Sequence, residues 1–139
     1  MIRLRAFGAS AGLAACAVVL VTVGAAAMSG QEKKSVKAGV YTAAQADRGQ
    51  TLFRSKCASC HAPNRFTDDL FYASFAGKPL YEMFDVISDS MPEDDPGSLK
   101  KEEYADVIAY LLKLNKFPDG ATDLPIDKEA LSAIMMEKP

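Results

Sequence analysis

The sequence predicts an all-α fold, a small helical domain wrapped around one five-residue motif, and three observations carry that reading. Apolar residues recur at three- and four-residue steps in three stretches: Ala46, Gly49, Phe53 and Cys57; Leu80, Met83, Phe84 and Ile87; and Tyr104, Val107, Ile108 and Leu111. That spacing lines one face of a helix. Around the motif, Cys57-Ala58-Ser59-Cys60-His61, β-branched runs are few, so a βαβ context is not supported. Proline and glycine then punctuate the chain at Pro63, at Gly77-Lys78-Pro79, at Pro96-Gly97 and at Pro118-Asp119-Gly120. Of the 139 residues, about 27 at the amino terminus have the composition of a targeting segment, which leaves room for one small domain with a thin core.

In chain order, Met1-Ile2-Arg3-Leu4-Arg5 is positive and is followed by a run from Ala6 to Met28 without a charged residue. Small residues, Gly24-Ala25-Ala26-Ala27, close it, so residues 1–27 read as an export signal cleaved near Ala27. The main rival is an uncleaved membrane anchor through residues 6–28, because about 20 apolar residues suffice to cross a bilayer. Lipidation at Cys16 is a weaker third reading, since Leu13-Ala14-Ala15-Cys16 resembles a lipobox but Val18-Val19-Leu20-Val21 stays apolar beyond it. Each reading delivers the rest of the chain across the membrane. The expected location is therefore periplasmic, soluble or anchored to the inner membrane.

Residues 28–41 are polar and lysine-bearing, with no apolar period, and read as a flexible linker. A domain is expected over residues 42–116. It opens on Thr42-Ala43-Ala44-Gln45, which matches a capping box with Thr42 as N-cap and Gln45 reaching back. The helix that follows places Gly49, Phe53 and Cys57 on one stripe, and Gly49, lacking a side chain, would let another helix cross closely.

The motif has the Cys-x-x-Cys-His spacing of covalent haem attachment. Each thiol, of Cys57 and of Cys60, adds to one vinyl group of a protoporphyrin, and the imidazole of His61 is then held beneath the iron as the proximal ligand. A structural zinc site takes four Cys or His ligands. Here Cys16 lies in the apolar leader and His61 is the only histidine, so no second half-site exists. The implied cofactor is one covalently attached haem c, whose burial would help the chain to fold.

After the motif, Leu70-Phe71-Tyr72 and Phe75 form an aromatic-rich segment expected to pack on the haem edge and core. Pro79 is expected at the first position of the next helix. Six methionines are present, and Met91 is the candidate distal ligand. It lies in a loop stiffened by Pro92 and far enough from His61 to return over the opposite haem face, whereas Met83 sits on a helix stripe and reads as core. A last helix opens near Ser98-Leu99-Lys100 and is stopped by Asn115, Pro118 and Gly120. Residues 117–139 read as a carboxyl-terminal extension that either adds a short helix or frays.

From about Thr42 to Asn115 the chain resembles a class I monohaem cytochrome c. Gly49-x3-Phe53-x3-Cys57-x2-Cys60-His61 resembles the family's first helix, Met91-Pro92 its distal loop and Val107-Ile108-Ala109-Tyr110-Leu111 its last helix. The resemblance implies that Gly49 and Phe53 pack against Val107 and Tyr110, and that the protein is an electron carrier rather than an enzyme. Met91-Pro92-Glu93-Asp94-Asp95-Pro96-Gly97-Ser98-Leu99 and Phe117-Pro118-Asp119-Gly120 are similar to small bacterial cytochromes that accept electrons from periplasmic quinoprotein dehydrogenases. One departure is that the proline after the haem histidine is Pro63, much closer than the dozen residues common in the family.

The implied partners are redox proteins, with a quinoprotein dehydrogenase as the candidate donor; nucleic acid is not among them. The alternatives are a haem subunit of a membrane oxidase or dehydrogenase complex and, more weakly, a haem enzyme or gas sensor, which needs a labile sixth position that Met91 argues against. With Arg3 and Arg5 set aside, 14 Lys and Arg face 18 Asp and Glu after Met28, an excess of four acids. Asp85, Asp89, Glu93, Asp94 and Asp95 gather around the distal loop, while Arg48, Arg54, Lys56 and Arg65 bracket the motif. The two sides of the haem are thus expected to differ in sign, which would steer a partner at long range.

Overall fold

The computed structural model describes residues 32–139. The leader, its anchor alternative and Cys16 lie outside the described residues. In chain order the elements are β1 (Lys34–Ser35), α1 (Ala43–Lys56), α2 (Asp69–Phe75), α3 (Leu80–Ser90), α4 (Lys101–Leu114), α5 (Lys128–Ser132) and β2 (Ile134–Met135), with 3₁₀ turns over Val36–Ala38 and Pro63–Phe66. The fold is all-α apart from the two-residue β1–β2 pairing. Among the described residues no helix is long and apolar enough to cross a membrane.

The centre is the crossing of α1 and α4, the most extensive contact between elements. A Cβ placed on Gly49 would lie 1.7 Å from the carbonyl oxygen of Asp106, so only glycine lets the two backbones meet. Next to it the rings of Phe53 and Tyr110 stand 5.3 Å apart between centroids. α3 turns Leu80, Met83 and Phe84 into the same core. Pro79 caps this helix instead of opening it, a shift of one residue. The aromatic segment around Phe71 and Tyr72 forms an additional helix, α2. Asp68 starts it, its carboxylate accepting from the Phe71 N–H at 2.8 Å.

Thr42 caps α1 as expected, accepting from the Gln45 N–H at 3.1 Å. The reciprocal half of that box is not made. Gln45 is 2% exposed, and its amide pairs with the backbone of Leu124, accepting from the N–H at 2.6 Å and donating to the carbonyl at 3.3 Å. An extended segment lying against a helix leaves one donor and one acceptor per residue to satisfy, and a buried glutamine satisfies both.

The flexible linker of residues 28–41 is corrected from Lys34 onward. Lys34 and Ser35 pair in parallel with Ile134 and Met135, and the Lys34 N–H donates to the Ala133 carbonyl at 2.8 Å. Val36, Val40 and Tyr41 are buried in the main core together with Leu131, Ile134 and Met136 of the extension. The Tyr41 hydroxyl donates to the Phe117 carbonyl, and the Gly120 N–H to the Tyr41 carbonyl, both at 2.6 Å. Gly120 touches this arm so closely that a Cβ would fall 2.0 Å from the Gly39 oxygen. Val36, Val40 and Tyr41, in a stretch rich in lysine, show no helical period, yet they are enough to bury the arm. The expected boundaries at 42 and 116 therefore do not isolate a domain, and the arm and the extension together form a clasp around α1, α3 and α4. The extension also reaches the α2–α3 connection, where the Met136 N–H donates to the Lys78 carbonyl at 2.9 Å and the Gly77 N–H to the Met136 carbonyl at 2.8 Å.

Candidate functional site

α1 ends by delivering the motif. Cys57 is its C-cap, with its N–H on the Phe53 carbonyl at 2.9 Å. The Cys60 and His61 N–H groups then donate to the Cys57 carbonyl at 3.1 and 2.9 Å. This tight turn gathers two thiols and an imidazole at one helix end, satisfying a terminal carbonyl that the helix leaves free. Cys57 is half-buried and Cys60 exposed, and they are not bonded to each other. Burial pushes the Cys57 thiol pKa up.

The His61 ring meets the Phe66 ring edge-on at 5.7 Å, and Phe66 is itself edge-on to Phe53 at 5.6 Å and to Phe71 at 6.1 Å. Asn115 holds this cluster to α4. Its Nδ2 donates to the carbonyls of Phe66 and Leu111, each at 2.8 Å, and its Oδ1 accepts from the Tyr72 hydroxyl. Sequence reasoning found only a helix stop at this position. A buried asparagine carries no periodic signal, and its partners come from three separate elements.

Met91 belongs to the lining of the same site. It caps α3, with its N–H on the Ile87 carbonyl at 3.0 Å. A cavity of about 800 Å³ is lined by Cys57, Cys60, His61 and Met91 together with Phe53, Phe66, Phe71, Phe75, Ile87, Val107 and Leu111. Among the described residues Met91 is the one methionine on its wall. Met83 is buried in the core, as read from its stripe. Two thiols, an imidazole, a thioether and aromatic walls around one space fit a haem in both chemistry and size. Among the described residues no group of three or more His, Cys, Asp or Glu is placed to hold a bare metal ion.

Residues 44–111 match the family described as cytochrome c oxidase, cbb3-type, subunit III. The match supports a class I c-type cytochrome over this part of the chain. No curated protein and no solved structure matches. The cytochrome holds covalently bound haem c and serves haem-based electron transfer, a family role that is generally not enzymatic. The matched residues run from the start of α1 into α4, so the cavity walls fall within them while β1, α5 and β2 fall outside.

The charges at the site separate into two kinds. Glu93, Asp94 and Asp95, from the α3–α4 connection, and Lys56, from the end of α1, line the cavity and are exposed. Arg48 is engaged: its guanidinium pairs bidentately with Asp106 at 2.9 and 3.0 Å and with Asp123 at 2.8 Å, and these hydrogen bonds raise its pKa further. It therefore adds little free positive charge to the bracket expected around the motif. Asp85 likewise accepts from the Tyr81 hydroxyl at 2.8 Å.

Proposed function

We propose that this cytochrome is an exported single-electron carrier in which Cys57 and Cys60 hold the haem through thioether bonds, His61 is the proximal ligand and Met91 the distal one. The observation that carries this reading is that Met91, thirty positions beyond His61, lines the same cavity as the motif. A haem held by these residues would supply one-electron chemistry at a raised potential. The chain's own part is to hold and to shield. The turn at Cys57 fixes the tether points, Phe66 bears on the imidazole, and Phe53, Phe71, Val107 and Leu111 exclude water from the walls.

The test is spectroscopic. Haem should stay with denatured protein through acid-acetone extraction, and oxidised protein should show the weak long-wavelength sulfur-to-iron band, which Met91→Ala abolishes while lowering the potential. Released haem would end the attachment claim. A band that survives Met91→Ala would move the ligand elsewhere.

The donor in this reading is a dehydrogenase of the quinoprotein class in the periplasm, and the acceptor is a downstream carrier or oxidase. Exposed Glu93, Asp94 and Asp95 at the cavity support a partner with a basic patch. Association should slow as salt rises, with screening over about 8–10 Å at 0.1–0.15 M. Reversing all three acids to lysine should slow it again and leave the haem spectrum intact; a rate indifferent to both would mean apolar docking.

The family match favours one second reading, a haem subunit of a membrane oxidase complex. Intact mass of the protein from membrane and soluble fractions separates the two. Full-length mass in the membrane fraction supports an anchored subunit, and cleavage near Ala27 supports a free carrier.

A further inference from the structure

The distal side depends on a hydrogen bond that comes from another helix. Met91 is the residue at which α3 has stopped, in an extended conformation with φ −127° and ψ 149°. The following residue, Pro92, has no N–H with which to fix the chain. Beyond it Glu93 to Ser98 are exposed, and their backbone bonds are local: Asp95 N–H to the Pro92 carbonyl at 3.0 Å and Ser98 N–H to the Asp95 carbonyl at 3.3 Å. Among the described residues, one hydrogen bond ties the segment from Met91 to Leu99 to anything beyond the last turn of α3. It runs from the Tyr104 hydroxyl on α4 to the Met91 carbonyl, at 2.7 Å.

Tyr104 is well suited to serve as a fixed point. It is 2% exposed, its ring meets Phe84 of α3 edge-on at 6.3 Å, and α4 is itself locked across α1 at Gly49. A buried tyrosine whose ring is packed has little freedom left, so its hydroxyl sets where the bonded carbonyl stands. With the N–H on Ile87 and the carbonyl on Tyr104, both backbone groups of Met91 are held, and the reach of its thioether is set with them.

The structure assigns Tyr104 as the positioning residue of the distal ligand: its hydroxyl holds the Met91 backbone so that the thioether stays on its side of the cavity and resists displacement. This assignment rests on Met91 being the ligand. Removing the hydroxyl alone leaves ring packing and haem attachment in place and frees the Met91 carbonyl to move. An external ligand that competes with the thioether should then bind more easily.

The experiment uses full-length, haem-loaded, oxidised protein titrated with imidazole, in the parent, Tyr104→Phe, Tyr41→Phe and Met91→Ala. Tyr41→Phe is the control, because it also removes a buried hydroxyl bonded to a backbone carbonyl, that of Phe117, but in the clasp. The expected result is that Tyr104→Phe keeps the sulfur-to-iron band and binds imidazole about two- to tenfold more tightly than the parent, the range corresponding to one hydrogen bond's net contribution. Tyr41→Phe should bind it as the parent does. Equal affinities in Tyr104→Phe and parent, or an equal gain in both tyrosine variants, would overturn the assignment and leave Met91 as ligand. A parent without the band that binds imidazole no more weakly than Met91→Ala would overturn the ligand reading itself, and the assignment with it.

Discussion

The two sides of the α1–α4 crossing are completed by different means. On the clasp side the chain supplies everything: Gln45 satisfies Leu124, Tyr41 satisfies Phe117, Arg48 joins Asp106 to Asp123, and Val36, Leu131 and Met136 are buried. On the cavity side the aromatic and aliphatic walls converge on a space of about 800 Å³ that only half-covers Phe66, Phe75 and Ile87. There, in the proposed reading, haem c would complete the packing. A small domain with a thin core gains stability from any group that binds the native state, and here that gain would fall on one side of the molecule.

Both sides hang on Gly49, so the largest effect is expected from Gly49→Ala. The new methyl would meet the Asp106 carbonyl at 1.7 Å, and an overpacked contact costs about 1–3 kcal/mol or more when backbone must move. Urea unfolding of the haem-loaded variant should show a loss at or above the top of that range. A variant as stable as the parent would mean that the crossing is not the common support.

The comparison is sharpest without haem. Protein carrying Cys57→Ser and Cys60→Ser and purified haem-free should lose amide-exchange protection in α2 and at the end of α3 by roughly tenfold or more, while Lys34, Gly120, Leu124 and Met136 keep theirs more nearly. Uniform loss across both sides would show that the clasp has no stability of its own.

Leu131→Ala probes the clasp from its centre. The side chain is 0% exposed, and truncating such a leucine costs about 2–5 kcal/mol. The visible spectrum should not change below the unfolding transition; a shifted haem band would mean that the two sides are coupled more tightly than their contacts indicate.

The smallest effect concerns acid. Hydrogen bonds from Thr42 and then Arg48 hold the Asp123 carboxyl pKa below its ordinary value. Its contribution is present above the unfolded aspartate pKa of about 3.9 and is lost as pH falls through the lower folded value. Asp123 is half-exposed, so the difference between parent and Asp123→Asn should be under about 1 kcal/mol at pH 7, shrink below about pH 4, and diminish with salt. A difference independent of pH would place the effect of the substitution in packing.

The same division governs what could be read from sequence. The helices α1, α3 and α4 were legible because each repeats an apolar face over two turns or more, and Cys57, Cys60 and His61 stood out because the chemistry proposed for them fixes their spacing. Met91 stood out by its position relative to His61 and by the adjoining proline, and it lines the same cavity as the motif. The clasp was not legible. Its strands are two residues long, its apolar residues are scattered among lysines, and Gln45 has the same sequence signature whether it caps its own helix or holds Leu124. Asn115 and Tyr104 were missed for a related reason: one polar atom reaching another element has no periodicity, and the helix pattern explains both positions without it.

Lys34 pairs with Ile134, a residue one hundred positions later. The chain is made from its amino end, so β1 exists long before its partner and has nothing to pair with until about a hundred further residues are available. Contacts that far apart also form late because a long loop must close first. Cys57, Cys60 and His61 lie inside that loop and are complete well before it can shut. The chain thus passes through a stage in which the attachment turn is present and the clasp is open, and haem joined at that stage would be in place before the two ends of the fold are drawn together.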